Sequence, residues 1–531
     1  MGGTVLPQNI LISELSKINQ AYPRIEKVLI VPDYQTGHQV LEYAVRSGVS
    51  WINFTIATPT SLAIDLVEDE IIFNNLELLS ADINLIVVDT IFNSLSSSRV
   101  LTYFEKHPVN KGMIEALVRS ISDLRICGIS SKNIQKHSFV SPKKANDLAL
   151  LLAEYEKVLK KQKFVDTAEL LSMALERVSA VTDKEKKFVV PHRFYLRGVV
   201  RTFVEKIAAE NLIVVAEDSA IGLAVPSDAW PVKEKTEDLK ANSDSQRLKW
   251  LFDHDNSPKA FHDSSIEIIS AVGERNEIRE VFRLIAKEKI QVDETELIYT
   301  DSGKYLDLIY FLCEKLGIPV TFSNGISFNI TRAGRALMNF LFWIKEDFRE
   351  IYLRRILDSG TLKIKSEDDD NAESGFALGH LLRISGVGWG RERHSKILSQ
   401  KIEELKKYRQ GADDDELKGE KYNAREGKIK SYGRLSNICA TLLTLIPEKD
   451  EEGKISCSTL CAGLLGFLNT YVKILDEYDA FFVARAKEIF SQLGTYLQED
   501  MAFEEALEKL ITIVSNIRIK PSGPKPGCLH V

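Results

Sequence analysis

The chain has 531 residues, of which 44% are hydrophobic and 27% charged, and its formal net charge is −7 at pH 7. This is ordinary globular composition with room for roughly three to five domains, and it excludes an all-over basic coat while leaving a local basic groove open. Six scattered cysteines, no run of about 18 apolar residues and an amino terminus (MGGTVLPQNILISELSK) without a secretory signal point to a cytoplasmic protein that does not span a membrane.

VLIVP at residues 28–32 predicts a short buried strand. A helix follows between Gly37 and Ser47, with Val40, Leu41, Ala44 and Val45 on one face. NFTIAT (53–58) alternates as a second strand, and Pro59 opens a helix continued by Leu62, Ala63, Leu66 and Val67. INLIVVD (83–89) predicts a third strand. From about Ser94 to Val178 the pattern is helical, in KGMIEALVRSISDLRI, KKANDLALLLAEYEKVLKK and DTAELLSMALERV. Strands resume with FVVP, FYLRG (194–198) and NLIVVAED (211–218). A helical block therefore interrupts one α/β domain of parallel strands.

Residues 226–263 are polar and read as an irregular connector. A second α/β unit follows in the order strand, helix, strand, helix, strand. It runs from SSIEIISAVG through a helix bearing Ile278, Val281, Phe282 and Ile285 to ELIYT. Tyr305, Leu308, Ile309, Leu312 and Leu316 share the next helix, Gly317 stops it, and IPVTF is extended. After Thr331 the chain is predicted to be helical, with SEDDDNAES (366–374) and GADDDELKGEK (411–421) as solvated loops. The closing PSGPKPGCLHV reads as a turn and a strand just starting, so the chain is expected to be the front part of a longer protein.

This alternation, and above all GIPVTFSNGISFNITRAGRALMNFLFWI, resembles the UvrD type of superfamily 1 helicase. The resemblance implies an α/β protein with two RecA-like parallel-sheet domains, each carrying a helical insertion. Domain 1A would comprise 1–93 and 188–225, insertion 1B 94–187, a linker 226–263, domain 2A 264–330, insertion 2B 331–520, and a return to 2A 521–531. VPDYQTGHQVLE (31–42) and TPTSLA (58–63) lie where such motors contact DNA. Gln35, Thr36, Thr58, Thr60 and Ser61 are then the residues expected to bind phosphates of single-stranded DNA. The competing reading is plain strand-end turns with helix caps.

The ATP machinery of that family is missing. LPQNILISELSKINQ stands where a glycine turn with Lys and Ser or Thr belongs, and Gly2 and Gly3 do not supply it. Arg197 occupies the place of a magnesium-binding acid, no Gln follows Asp218, and Thr300 takes the slot of an Arg that reaches the γ-phosphate. LIVVD ending at Asp89 looks like a Walker B strand, but Thr90 and not an acid follows. No ATPase activity is expected from this segment.

A helicase architecture without motor motifs resembles the AddB and RecC subunits of bacterial recombination helicase–nucleases. That resemblance implies a DNA end-processing exonuclease of double-strand-break repair. This segment would hold DNA, a motor subunit, or both. A PD-(D/E)XK nuclease with magnesium and an iron–sulfur cluster would lie beyond Val531. Inside the segment no cofactor is expected. Glu416-Leu417-Lys418 reads as solvated loop, and Cys457 and Cys461, one helical turn apart, read as core packing. A positive run from Arg119 through Arg125, Lys132, Lys136, Lys143, Lys144, Lys157, Lys160, Lys161 and Lys163 suits a duplex-gripping arm, or the exposed end of an amphipathic helix. RISGVGWGRERHSK (383–396) is a second candidate, with Arg391, Arg393 and His394 beside Trp389. The alternatives are a protein-interaction scaffold that touches no DNA and a two-domain α/β transferase using a nucleotide. The latter lacks a phosphate-cradling glycine turn.

Overall fold

The computed structural model describes residues 9–50, 52–106, 111–178, 186–217, 229–231, 241–363, 374–410, 420–497, 500–520, 525 and 527–531. They form two compact units, Met1–Ile290 and Gln291–Val531. The protein is α/β, mostly helical, with a small parallel sheet.

The first unit runs α1 (Ile10–Ala21), β1 (Glu26–Ile30), α2 (Tyr34–Arg46), β2 (Phe54–Ala57), α3 (Pro59–Phe73), β3 (Glu77–Leu78) and α4 (Ala81–Ser97). It continues with α5 (Lys111–Ile126), α6 (Pro142–Gln162), β4 (Phe164–Val165), α7 (Thr167–Arg177), β5 (Lys186–Pro191), α8 (Gly198–Ala208) and β6 (Leu212–Val215). Short α9 (Asp244–Arg247) and α10 (Glu274–Glu288) close it. The sheet has the order β2-β1-β5-β6, and every pairing is parallel. Alternate side chains of the central strands serve opposite cores. Val28, Ile30, Phe188 and Val190 pack with residues of α3, α7 and α8. Leu29, Val31 and Val189 pack with residues of α1 and α2. A sheet covered on both faces needs continuously apolar strands, as β1 and β5 are.

Lys27 is the exception inside β1. It is fully buried, its Nζ donates to the carbonyl of Tyr22 at 2.8 Å, and it sits 5.1 Å from the centroid of the Phe54 ring. Burial holds its pKa below the usual value.

The helical block is tied together by buried acids. Asp147 on α6 is 1% exposed and accepts from the backbone N–H of Thr102, Tyr103 and Phe104 at 2.7–3.1 Å, and from the Thr102 hydroxyl at 3.2 Å. Arg125 on α5 grips Asp166 with two nitrogens at 2.5 and 3.2 Å and reaches Glu169 at 3.2 Å. Burial pushes the Tyr155 phenol beside them well above its ordinary range.

Three sequence expectations are corrected in this unit. INLIVVD is helix, not strand. Ser80 caps α4 through Ile83 N–H, and Ile83, Ile86, Val87 and Ile91 are buried at helical spacing. Asp89 thus lies within a helix and not at a strand end, which removes the Walker B likeness. FYLRG is the connection from β5 to α8 and forms no strand; the strand ends upstream at Pro191. IEIIS at 266–270 joins no ladder, and Ile268 is 94% exposed. A β-branched run supplies propensity, but a strand exists only where a neighbour accepts its hydrogen bonds.

The described part of the connector carries α9 and short 3-10 turns and is cross-linked by Asp244. The N–H of Phe261, the Arg247 guanidinium and the N–H of His262 hold that carboxyl down at about 2. The acidic run 411–419 and residues 364–373 lie outside the described residues, as does Glu416-Leu417-Lys418.

The second unit opens with α11 (Ser302–Leu316), ended as predicted by Gly317 in the left-handed region. There follow β7 (Val320–Thr321), β8 (Ile326–Ser327), α12 (Arg332–Lys345), α13 (Glu350–Asp358), α14 (Gly375–Ser385), α15 (Arg391–Gln410) and α16 (Glu420–Thr444). The chain ends through β9 (Lys454–Ser456), α17 (Cys457–Gly466), α18 (Glu477–Tyr496), β10 (Asp500–Ala502), α19 (Phe503–Asn516), β11 (Arg518–Ile519) and β12 (Leu529–His530). The strand expected in PSGPKPGCLHV is β12, which pairs in parallel with β7. ELIYT is corrected. Glu296 makes one isolated parallel bridge to His530, and Ile298 is 89% exposed. The all-helical expectation after Thr331 is corrected as well, because β9 pairs antiparallel with β10 and β11 with β8; the helices pack around these short pairs. Phe340 stacks on Phe467 at 4.2 Å, and buried Asp479 accepts from Ala333 N–H at 2.9 Å to close the start of α12.

Two outcomes follow for stability. Lys27→Met is expected to raise stability at pH 7 by about 1 kcal/mol, because it removes a buried charge. The lowered folded-state pKa means the wild type gains stability as pH rises from that pKa towards 10.5. The advantage of the variant therefore shrinks across that window in urea melts at stepped pH. Asp147→Ala is expected to cost about 3 kcal/mol by the same assay, since it strands three backbone donors, Phe104 N–H among them in a buried contact.

Candidate nucleic-acid interface

Parallel strands deliver their carboxyl ends to one edge of a sheet, and the helices that follow open there. Here β1 leads into α2 and β2 into α3, and the two strands are neighbours. The strand order reverses between β1 and β5, because β2 lies on one side of β1 and β5 on the other.

Both helix starts are capped. Asp33 accepts from the Thr36 N–H at 2.8 Å and from its hydroxyl at 3.1 Å. Thr58 accepts from the Ser61 N–H at 3.1 Å, the Thr58 N–H donates to the Ser61 hydroxyl at 3.0 Å, and Pro59 occupies the first helical position. The structure thus brings Gln35 and Thr36 to one strand end and Thr58, Thr60 and Ser61 to the next. It also spends the hydroxyls of Thr36 and Ser61 inside the caps: Ser61 Oγ donates to the Thr58 carbonyl at 3.0 Å. Thr60 is exposed and Gln35 half-buried. What remains for an anion is the first-turn N–H groups not taken by the caps and the positive end of each helix dipole.

The third strand end carries residues that sequence reasoning missed. His192 follows β5, is 9% exposed, and donates its backbone N–H to the Val215 carbonyl at 2.9 Å. Its Nδ1 lies 2.6 Å from the Trp230 carbonyl, which assigns the proton to Nδ1, and its buried Nε2 has no partner among the described residues. Trp230 Nε1 donates to the Phe194 carbonyl at 2.9 Å, and Arg201 stacks 4.5 Å from its ring. The only sequence signal was the place of His192 directly after a buried strand.

Arg197 is exposed at the start of α8, Thr300 is exposed in irregular chain ahead of α11, and Asp218 lies outside the described residues.

Lys143, Lys144, Lys157, Lys160 and Lys161 are all exposed on α6. Lys143, Lys157 and Lys161 fall on its outward face with Asn146, Leu150 and Glu154, opposite buried Leu148, Leu152 and Leu159. Lys157 pairs with Glu154 at 2.5 Å in the open, a weak contact. Arg125 must be removed from the expected basic set. Its side chain is 11% exposed and consumed by acids.

Arg391, named with the DNA-contacting candidates, is partly exposed and engaged within the unit. Its guanidinium donates to the carbonyls of Leu443 at 3.0 Å, Ile446 at 2.9 Å and Pro447 at 3.4 Å, closing the end of α16. Trp389 stays exposed, with Arg393 5.5 Å from its ring, while His394 is fully buried.

Cys457 and Cys461 are both fully buried on α17. The Cys461 thiol donates towards Cys457, and that bond, aided by the charge of Lys509 and opposed by burial, holds the Cys457 thiol below its ordinary pKa. Among the described residues no group of three or more His, Cys, Asp and Glu could hold a metal ion. No helix of the described residues is long and apolar enough to cross a membrane.

The chain matches no protein-family model and no curated protein.

Arg391→Ala is expected to lower stability by about 1–3 kcal/mol through the stranded carbonyls. It should leave binding of a labelled oligonucleotide unchanged, as read by anisotropy beside a thermal melt.

Proposed function

We propose that this chain is a catalytically degenerate, helicase-like segment of a DNA end-processing exonuclease. In this reading it holds a DNA end, and the nuclease chemistry belongs to a further domain. In this reading residues 1–225 are 1A with its 1B arm and residues 264–531 are 2A with 2B, a division that places α10 in 2A although it packs within the first unit. A motor subunit is the expected protein partner.

One observation carries the reading. Two helices of 13 and 15 residues open from the carboxyl ends of adjacent parallel strands, so their N–H groups and positive dipole ends share one sheet edge. Such an edge suits a phosphate backbone, which needs charge and donors without base contacts. The exposed lysines of α6 add a row of cations along a helix roughly 30 Å long.

The scaffold reading retains one specific support. The Ser61 hydroxyl expected to meet phosphate already closes the capping box with Thr58, and the net charge is −7.

Binding of a forked duplex across a salt series separates the two. Wild type is expected to bind with a steep slope of log affinity against log salt. Lys157→Ala, Lys160→Ala and Lys161→Ala together should flatten it by roughly 0.9 for each lost phosphate contact. An unchanged slope rules out the arm, and no binding even at low salt favours the scaffold.

A further inference from the structure

The second unit contains a cleft of about 730 Å³ between the end of α12, the start of α15, the turn after α16 and the start of α19. Ile344, Phe348, Pro447, Phe503 and Leu507 give it an apolar lining. Glu346, Asp347, Glu392, Glu448 and Glu504 also line it, and no described cation pairs with any of the five.

The three cations of the cleft are already engaged. Lys345 pairs with Glu508 at 2.5 Å. Arg391 is held by the carbonyls at the end of α16. Lys449 rests its Nζ 4.3 Å from the centroid of the Phe503 ring. That last contact shows an ammonium seated on an aromatic face inside an acidic cleft, a geometry that is itself attractive.

The layer beneath is also polar and unsatisfied. Trp343 packs edge-on against Phe348 at 5.1 Å, and His394 packs against Trp343 at 5.3 Å. Both are fully buried, and Trp343 Nε1 and His394 Nε2 have no hydrogen-bond partner among the described residues.

We propose that this cleft docks a lysine- or arginine-rich amphipathic segment of a partner protein. Five unpaired carboxylates attract cations and repel a phosphate backbone, so the occupant is protein and not DNA. The apolar lining gives the leucine-like face of such a segment a surface to cover. Phe503 marks one seat, where an ammonium of the partner would take the place of Lys449. The inference goes beyond the DNA reading and does not depend on it.

The test titrates the full chain into a fluorescent amphipathic lysine–leucine peptide at low salt, with a glutamate–leucine peptide as the control. Wild type is expected to bind the first and not the second. Glu392→Gln, Glu448→Gln and Glu504→Gln together should weaken binding about ten-fold and flatten its salt dependence. Lys449→Glu, which frees the Phe503 face and adds a carboxylate, should tighten it. Glu68→Gln, Glu176→Gln and Glu210→Gln make the same charge change on the first unit and should leave the affinity unchanged. Equal affinity in wild type and the cleft variants, an equal loss in the control variant, or no binding by wild type each overturns the assignment.

Discussion

A parallel strand with neighbours on both sides and helices on both faces has no solvent side, and β1 is that strand. Every residue from Lys27 to Ile30 is buried, with β2 on one edge and β5 on the other. Its side chains must feed two cores at once, which commits the flanking sequence to crossover helices above and below. Those crossovers fix the polarity of the lobe. Each helix that follows a strand starts at the same edge, so the capped turns at Asp33 and Thr58 become neighbours without any local signal between them. The tolerance of a buried ammonium at Lys27 shows how little choice the strand leaves. The chain keeps the charge because its stem fits the core and its tip reaches one carbonyl.

Much of this was legible from spacing. Thr58-Pro59 announced a helix start, and Gly317 a helix stop. The three helices of the first unit's insertion showed their apolar faces plainly. The last residues paired as a strand where their pattern asked for one. The failures share a cause. Short apolar runs rich in Ile and Val fit either a buried strand or a buried helix, and INLIVVD went to helix because Ser80 capped it and the neighbours offered a helical slot. IEIIS and ELIYT carry the composition of strands, yet the ladder that would make them so is not a local property.

Site reasoning met a similar limit. Positions at strand ends were placed correctly, because a strand followed by a helix start is local. The partners of individual charges were not. Arg391 finds its carbonyls more than fifty residues downstream, and Arg125 its carboxylate forty-one residues away. A cation read from sequence is free only until the fold supplies it with an acceptor. The acidic cleft lay outside sequence reasoning for the same reason, since its walls come from four separate stretches between Ile344 and Glu508.

The extended run from Ser265 to Val272 has a consequence for handling the protein. Ile266, Ile268 and Val272 are presented to water beside backbone groups that no ladder engages. Such a stretch is a seed for edge-to-edge association between copies. Solubility in a concentrated preparation is therefore expected to depend on these residues as well as on the seven surplus negative charges of the whole chain. Placing a lysine at Ile268 would be the most direct way to keep it dispersed.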